Sequence, residues 1–165
     1  MSKINNRASL KNNEKTNAIR GAIQHRATWM ALMFLEMEKA GYDAEKITRA
    51  AVRQTGLIHG GLLRDVAAST ELMDFNKAFL TEDGVNNFEM DIKTLDDKEL
   101  YVEFNYCALV EAWLKLGIDD EKIALLCDIA MDGDRGIAES MGYGFELGNT
   151  IAQGYKTCKI KFLKK

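Results

Sequence analysis

The stretch FEMDIKTLDDKELYVEFNY, residues 88–106, decides the fold class. Phe88, Met90 and Ile92 alternate with Glu89, Asp91 and Lys93, and Leu100, Val102, Phe104 and Tyr106 alternate with Tyr101, Glu103 and Asn105. A period of two puts successive side chains on opposite faces of a strand. With Asp96-Asp97 between the runs as the turn, the stretch predicts a β-hairpin with one apolar face. A second hairpin is predicted over residues 143–152 and 157–163, turning through Gln153-Gly154-Tyr155-Lys156, with Cys158, Ile160 and Phe162 on one face.

Upstream of the first hairpin the period is helical. Over residues 14–39, Ile19, Ile23, Met30, Met33, Phe34 and Met37 recur at helical spacing up to Gly41. Asp43 reads as the N-cap of a second helix carrying Ile47, Ala50, Ala51 and Gln54, ending at Gly56. His59-Gly60-Gly61 predicts a break over 57–61, short helices follow near 62–68 and 70–80, and Asp83-Gly84 signals a turn. Between the hairpins, residues 107–116 form a helix closed by Gly117. Asp119 or Asp120 starts another, which breaks at Asp132-Gly133-Asp134 before a short helix to Met141. The sum is an α+β domain: a helical N-terminal half, and an antiparallel sheet of about four strands in two hairpins packed against helices.

Composition narrows the function classes. The 165 residues are 47% hydrophobic, and 22 Lys plus Arg against 25 Asp plus Glu give a net charge of −3, without the basic excess of a nucleic-acid-binding domain. The longest apolar run, Trp29 to Leu35, is far short of the roughly 20 residues of a membrane span. Proline is absent, where average usage predicts about eight, which excludes Pro-rich linkers and polyproline recognition segments. Three cysteines without a CxxC pair do not make a disulfide framework and fit a reducing compartment, so a cytoplasmic protein is expected. Residues 1–16 read as a flexible arm ahead of a single domain over 17–165. Lys3, Arg7, Lys11, Lys15, Arg20 and Arg26 against Glu14 make the first 26 residues basic, a pattern read as a solvated terminus.

Several residues carry candidate chemistry. Cys107 stands where the first hairpin runs into a helix, where unpaired N–H groups and the helix dipole lower a thiol pKa; cysteine is equally a common buried hydrophobe. Cys127 lies one turn before Met131, beside the acidic corner Asp128, Asp132 and Asp134, with core filler as the alternative. Arg135, directly after that corner, offers an anion clamp beside a general acid or base, or simply a capped helix break. Cys158 shares a strand face with Ile160 and Phe162, His59 is the candidate imidazole, and Trp113 and Tyr155 are aromatic candidates for a ligand pocket. Gaps of 20 and 31 residues between the cysteines do not match the paired spacing of zinc sites. No cofactor is expected, while metal-activated water stays open as a route. The expected partner is a small molecule, with homo-oligomerisation open.

Residues 106–162 resemble the C-terminal half of the L-2-amino-thiazoline-4-carboxylic acid hydrolase family. The likeness rests on Cys107 opening a helix with Trp113, Leu126-Cys127 before the next break, the run Ile129 to Ala138 (IAMDGDRGIA), Thr150 to Gly154 (TIAQG), and then Cys158 and Phe162. Ala108 and Tyr155 depart from the family's pattern, which has proline and aspartate in those places. The resemblance implies hydrolytic opening of a five-membered cyclic isothiourea bearing a carboxylate, or of a related cyclic amidine or amide. Such chemistry needs attack at C2, protonation of a leaving nitrogen and a cation for the carboxylate. The implied roles are Cys127 or Cys107 as nucleophile, Asp134 as acid and base, and Arg135 as clamp, with water activated by Asp132 or Asp134 as the alternative attack. A non-catalytic small-molecule sensor or carrier of the same fold is the competing class.

Overall fold

The computed structural model describes residues 2–165. Helix α1 (Glu14–Lys39) is capped by Asn13, whose side chain accepts the Thr16 N–H, and α2 (Ala44–Val66) by Asp43, which accepts the Lys46 N–H. The short helices α3 (Leu72–Phe79) and α4 (Glu82–Phe88) lead into strands β1 (Met90–Leu95) and β2 (Glu99–Phe104). Helices α5 (Ala108–Lys115), α6 (Asp120–Ala130) and α7 (Asp132–Met141) follow, then β3 (Gly144–Leu147), a 3-10 turn over Ile151–Gln153, and β4 (Cys158–Leu163).

The four strands form one antiparallel sheet in the order β1-β2-β4-β3, so the two hairpins join through β2 and β4. The alternation seen in the sequence becomes cross-strand pairing on a buried face: Leu100 opposite Phe162, Val102 opposite Ile160, and Phe104 opposite Cys158. Helices cover this face, and Phe75 of α3 sits edge-on to both Phe162 and Tyr143. Trp113 is fully buried and its indole N–H donates to the Ala27 carbonyl at 3.0 Å, fastening α5 to α1. No described helix is long and apolar enough to cross a membrane.

Three local expectations are corrected. The break over 57–61 does not exist, because α2 runs unbroken to Val66. Its glycines permit close packing on α7: a Cβ on Gly56 would lie 2.0 Å from the Gly133 carbonyl oxygen, and one on Gly60 would lie 2.6 Å from the Ser140 Cβ. His59 therefore lies on an exposed stretch of helix, not in a loop. Asp83-Gly84 is not a turn but the first part of α4, whose Thr81 cap accepts the Gly84 N–H. The limb expected over 143–152 is a strand only to Leu147. Thr150 then starts the 3-10 turn with a reciprocal cap, its hydroxyl accepting from Gln153 N–H while the Gln153 side chain accepts from Thr150 N–H.

The stretch expected to be an arm, residues 1–16, makes specific contacts with the rest of the fold. Met1 lies outside the described residues, and the last part, from Glu14, belongs to α1. Residues 2–13 have no helix or strand, yet Asn6 is only 7% exposed and the backbone is tied down along its length. Lys3 N–H donates to Asp120 at 2.7 Å, the Ser9 and Leu10 N–H groups donate to Glu89, and the buried Arg20 donates to the Leu10 carbonyl. Side-chain to backbone bonds of this kind leave no hydrophobic period to read.

Candidate active site

The sheet brings the three cysteines together from three elements. Cys107 is the N-cap of α5, three residues beyond β2; Cys158 opens β4 opposite Phe104; Cys127 occupies the last turn of α6. All are reduced, no more than 8% exposed, and part of the same core. Each pair is close enough for its charges to interact. Burial raises all three thiols and is the largest influence on each, Cys158 reaching about 12. Smaller influences oppose it: the N–H groups of Val110 and Leu109 at the start of α5 favour the Cys107 thiolate, the Thr150 side chain favours that of Cys127, and the Ile151 N–H donates to Cys158 Sγ at 3.2 Å.

Asp134 is the carboxyl group of this site. It projects from the first turn of α7, and burial pushes it from the ordinary 3.8 to about 6. Its own backbone N–H and the charges of Arg135 and Arg26 oppose that rise. Its charge also raises Cys107, so the carboxyl and that thiol sense each other. A carboxyl with a pKa near 6 takes and returns a proton close to neutral pH.

Arg135 is engaged elsewhere. Its guanidinium donates to Asp128 at 2.7 Å and Asp132 at 2.8 Å, and Arg49 of α2 grips the other oxygens of the same two carboxylates at 2.6 and 3.1 Å. Two arginines and two aspartates thus bolt α2, α6 and α7 together, occupying the acid-rich corner seen in the sequence. The Asp128 carboxylate is held below its ordinary pKa by both arginines, although burial, the largest influence, works the other way. Removing this bolt has a measurable cost: Arg135→Ala should lower unfolding free energy by about 2 kcal/mol, between the values for exposed and buried pairs, in urea melts at low salt. The loss should shrink for Arg135→Lys.

Arg26, read in the sequence as part of a basic terminus, is an exposed cation whose charge reaches this group of side chains. It is exposed on α1, enters none of the ion pairs among the described residues, and its charge lowers both Asp134 and Cys107. Periodicity gave no sign of it, since only the packing of α1 on α5 places it here. The other candidates stand apart. His59 is on the exposed side of α2, Tyr155 is 51% exposed beyond the 3-10 turn, and Trp113 is core with its N–H occupied. Among the described residues no three His, Cys, Asp or Glu side chains are arranged to hold a metal ion.

Three thiols thus lie at one end of the sheet, within reach of the charges of a titratable carboxyl and an exposed cation. The pattern of the L-2-amino-thiazoline-4-carboxylic acid hydrolase family matches residues 20–162 of the 165. The chain belongs to this family. The hydrolase-family match takes in Arg26, Cys107, Cys127, Asp134 and Cys158, and begins after Asn6. No curated protein and no solved structure is matched by the chain.

Proposed function

We propose that this member of the hydrolase family opens a small ring, a cyclic isothiourea, amidine or amide bearing a carboxylate. The observation that carries the reading is the grouping of Cys107 with Asp134, a carboxyl raised to about 6, and the unpaired Arg26. Arg26 receives the substrate carboxylate, its guanidinium matching a planar anion. The Cys107 thiol gives its proton to Asp134 as Sγ attacks the ring carbon between the heteroatoms. The bond from that carbon to the leaving ring atom breaks, and Asp134 delivers the proton to the leaving atom. Water then adds to the same carbon and displaces Sγ, its two protons going to Sγ and to the remaining nitrogen.

The thiol's position supports Cys107 over Cys127 as nucleophile. It faces the N-terminus of α5 and the Asp134 charge, whereas Cys127 is held well above the ordinary thiol pKa by burial and by its two neighbouring thiols. The test is turnover of 2-amino-thiazoline-4-carboxylate. Cys107→Ser should lower kcat at least about 100-fold, the usual scale for losing a nucleophile or its base. Arg26→Ala should instead raise KM about 10- to 100-fold with a smaller change in kcat, as expected for a group that binds ground and transition states alike. Full activity of Cys107→Ser together with loss in Cys127→Ser would reassign the nucleophile.

A further inference from the structure

Residues 2–10 form a strap across the Cys107 end of the site. At one end it passes the last hairpin turn, where the Lys3 carbonyl lies 3.7 Å from where a Gly154 Cβ would be, and Lys3 N–H donates to Asp120 at the start of α6. At the other end Ser9 and Leu10 hang on the Glu89 carboxylate. In the middle Asn6 seizes both backbone polar groups of Cys107: its Oδ1 accepts the Cys107 N–H at 2.8 Å and its Nδ2 donates to the Cys107 carbonyl at 2.9 Å. The Cys107 backbone is extended, with φ −131° and ψ 113°, which is what an N-cap requires. A two-point clamp on the peptide groups either side of the Cys107 Cα fixes that geometry and hence the direction of the side chain.

Little else holds the strap. Ile4 is the only one of these residues packed against the core, and most of the others are exposed. Segments with few apolar contacts open at lower free energy than the core they cover. Beside the strap an open cleft of about 330 Å³ is lined by Ala8, Leu10 and Lys11 on one side and Arg20 and Gln24 of α1 on the other, with Tyr106, the residue before Cys107, also in its wall. The three thiols themselves are nearly inaccessible.

We infer that Asn6 is the positioning residue for Cys107, and that the strap carrying it controls how that thiol meets a small solute entering by this cleft. Its bearing on turnover rests on the reading of Cys107 as nucleophile, but its effect on the thiol does not.

The experiment is alkylation of the native full-length protein with iodoacetamide, with each cysteine followed separately by peptide mass spectrometry. Asn6→Ala should speed modification of Cys107 at least 10-fold and change Cys127 and Cys158 less than twofold. Asp120→Ala, which frees the far end of the strap without touching the site, should speed Cys107 a few-fold with the same selectivity. A purely structural role for Asn6 would expose all three thiols together as the fold loosens. Parallel acceleration at the three cysteines, or an unchanged Cys107 rate in both variants, overturns the inference. Should Asn6→Ala not fold, Asp120→Ala decides by the same criterion. No substrate is used, so a chain that fails to open thiazolines still tests the strap, and turnover combined with unselective labelling would sink the strap alone.

Discussion

Gly56→Ala is expected to destabilise the fold by about 3 kcal/mol, near the upper end of ordinary overpacking, while Gly61→Ala in the same helix stabilises it by roughly 0.5–1 kcal/mol. Both substitutions gain helix propensity, because alanine loses less chain entropy than glycine. They differ in what the added carbon meets. At Gly56 it would stand 2.0 Å from the Gly133 carbonyl oxygen and 2.8 Å from that residue's backbone carbons. Backbone on both sides leaves no rotamer to relieve the clash, so α2 and α7 must part. At Gly61 nothing lies within 4 Å, and only the propensity term remains. Parting the helices also pulls on the Arg49 and Arg135 bolt and moves the first turn of α7, from which Asp134 projects. Urea melts of the two variants should therefore move in opposite directions. Equal shifts would mean that α2 does not pack on α7 through its glycines.

The second large effect is at Asp134. Asp134→Asn should cut turnover about 100- to 10,000-fold, the range for removing a general acid or base, and at the same time make the protein harder to unfold above neutral pH. The sign follows from the raised pKa. In the unfolded chain the carboxyl ionises near 3.8, in the folded protein near 6. Well below pH 3.8 both states are protonated and the group costs nothing. As pH rises from 4 through 6 the unfolded state loses its proton first, and folding stability falls. A rise from 3.8 to about 6 corresponds to at most about 3 kcal/mol. The asparagine variant should therefore match the wild type at about pH 3 and exceed it at about pH 7.5, and wild-type kcat should have an acid limb near pH 6. A variant less stable than wild type at pH 7.5 would mean that the Asp134 carboxylate is stabilised in the fold, contrary to its burial. Groups tuned for chemistry at a cost in stability are expected at active sites.

Much of the scaffold was legible from pattern alone. Strands β2 and β4 alternate strictly because one face of the sheet is buried, and the end of the long helix α1 is marked by Gly41. The weaknesses fall where the cause is not local. His59-Gly60-Gly61 has the composition of a break, and nothing within ten residues of it announces that Gly56 and Gly60 will meet Gly133 and Ser140. Glycine signals flexibility in isolation and close approach in company, and the company here comes from more than 70 residues away. Arg135 read as a free clamp because its neighbours in sequence are acidic. In the fold those acids hold it, while Arg26, surrounded in sequence by nothing suggestive, is left open. Asn6 was invisible for a related reason, since one polar side chain bonding the backbone of a distant residue has no period and no composition.

The sequence by itself determined the fold class, the two hairpins and the family, because periodicity and an ordered motif are carried along the chain. Tertiary structure alone decided the surroundings of each side chain. It decided which thiol senses the carboxyl, which arginine is spent on structure and which stays open, and that the first residues lie across the site. Those outcomes depend on burial and on charges brought together from distant positions, and burial is what moved Asp134 from an ordinary surface acid to one that titrates near neutral pH.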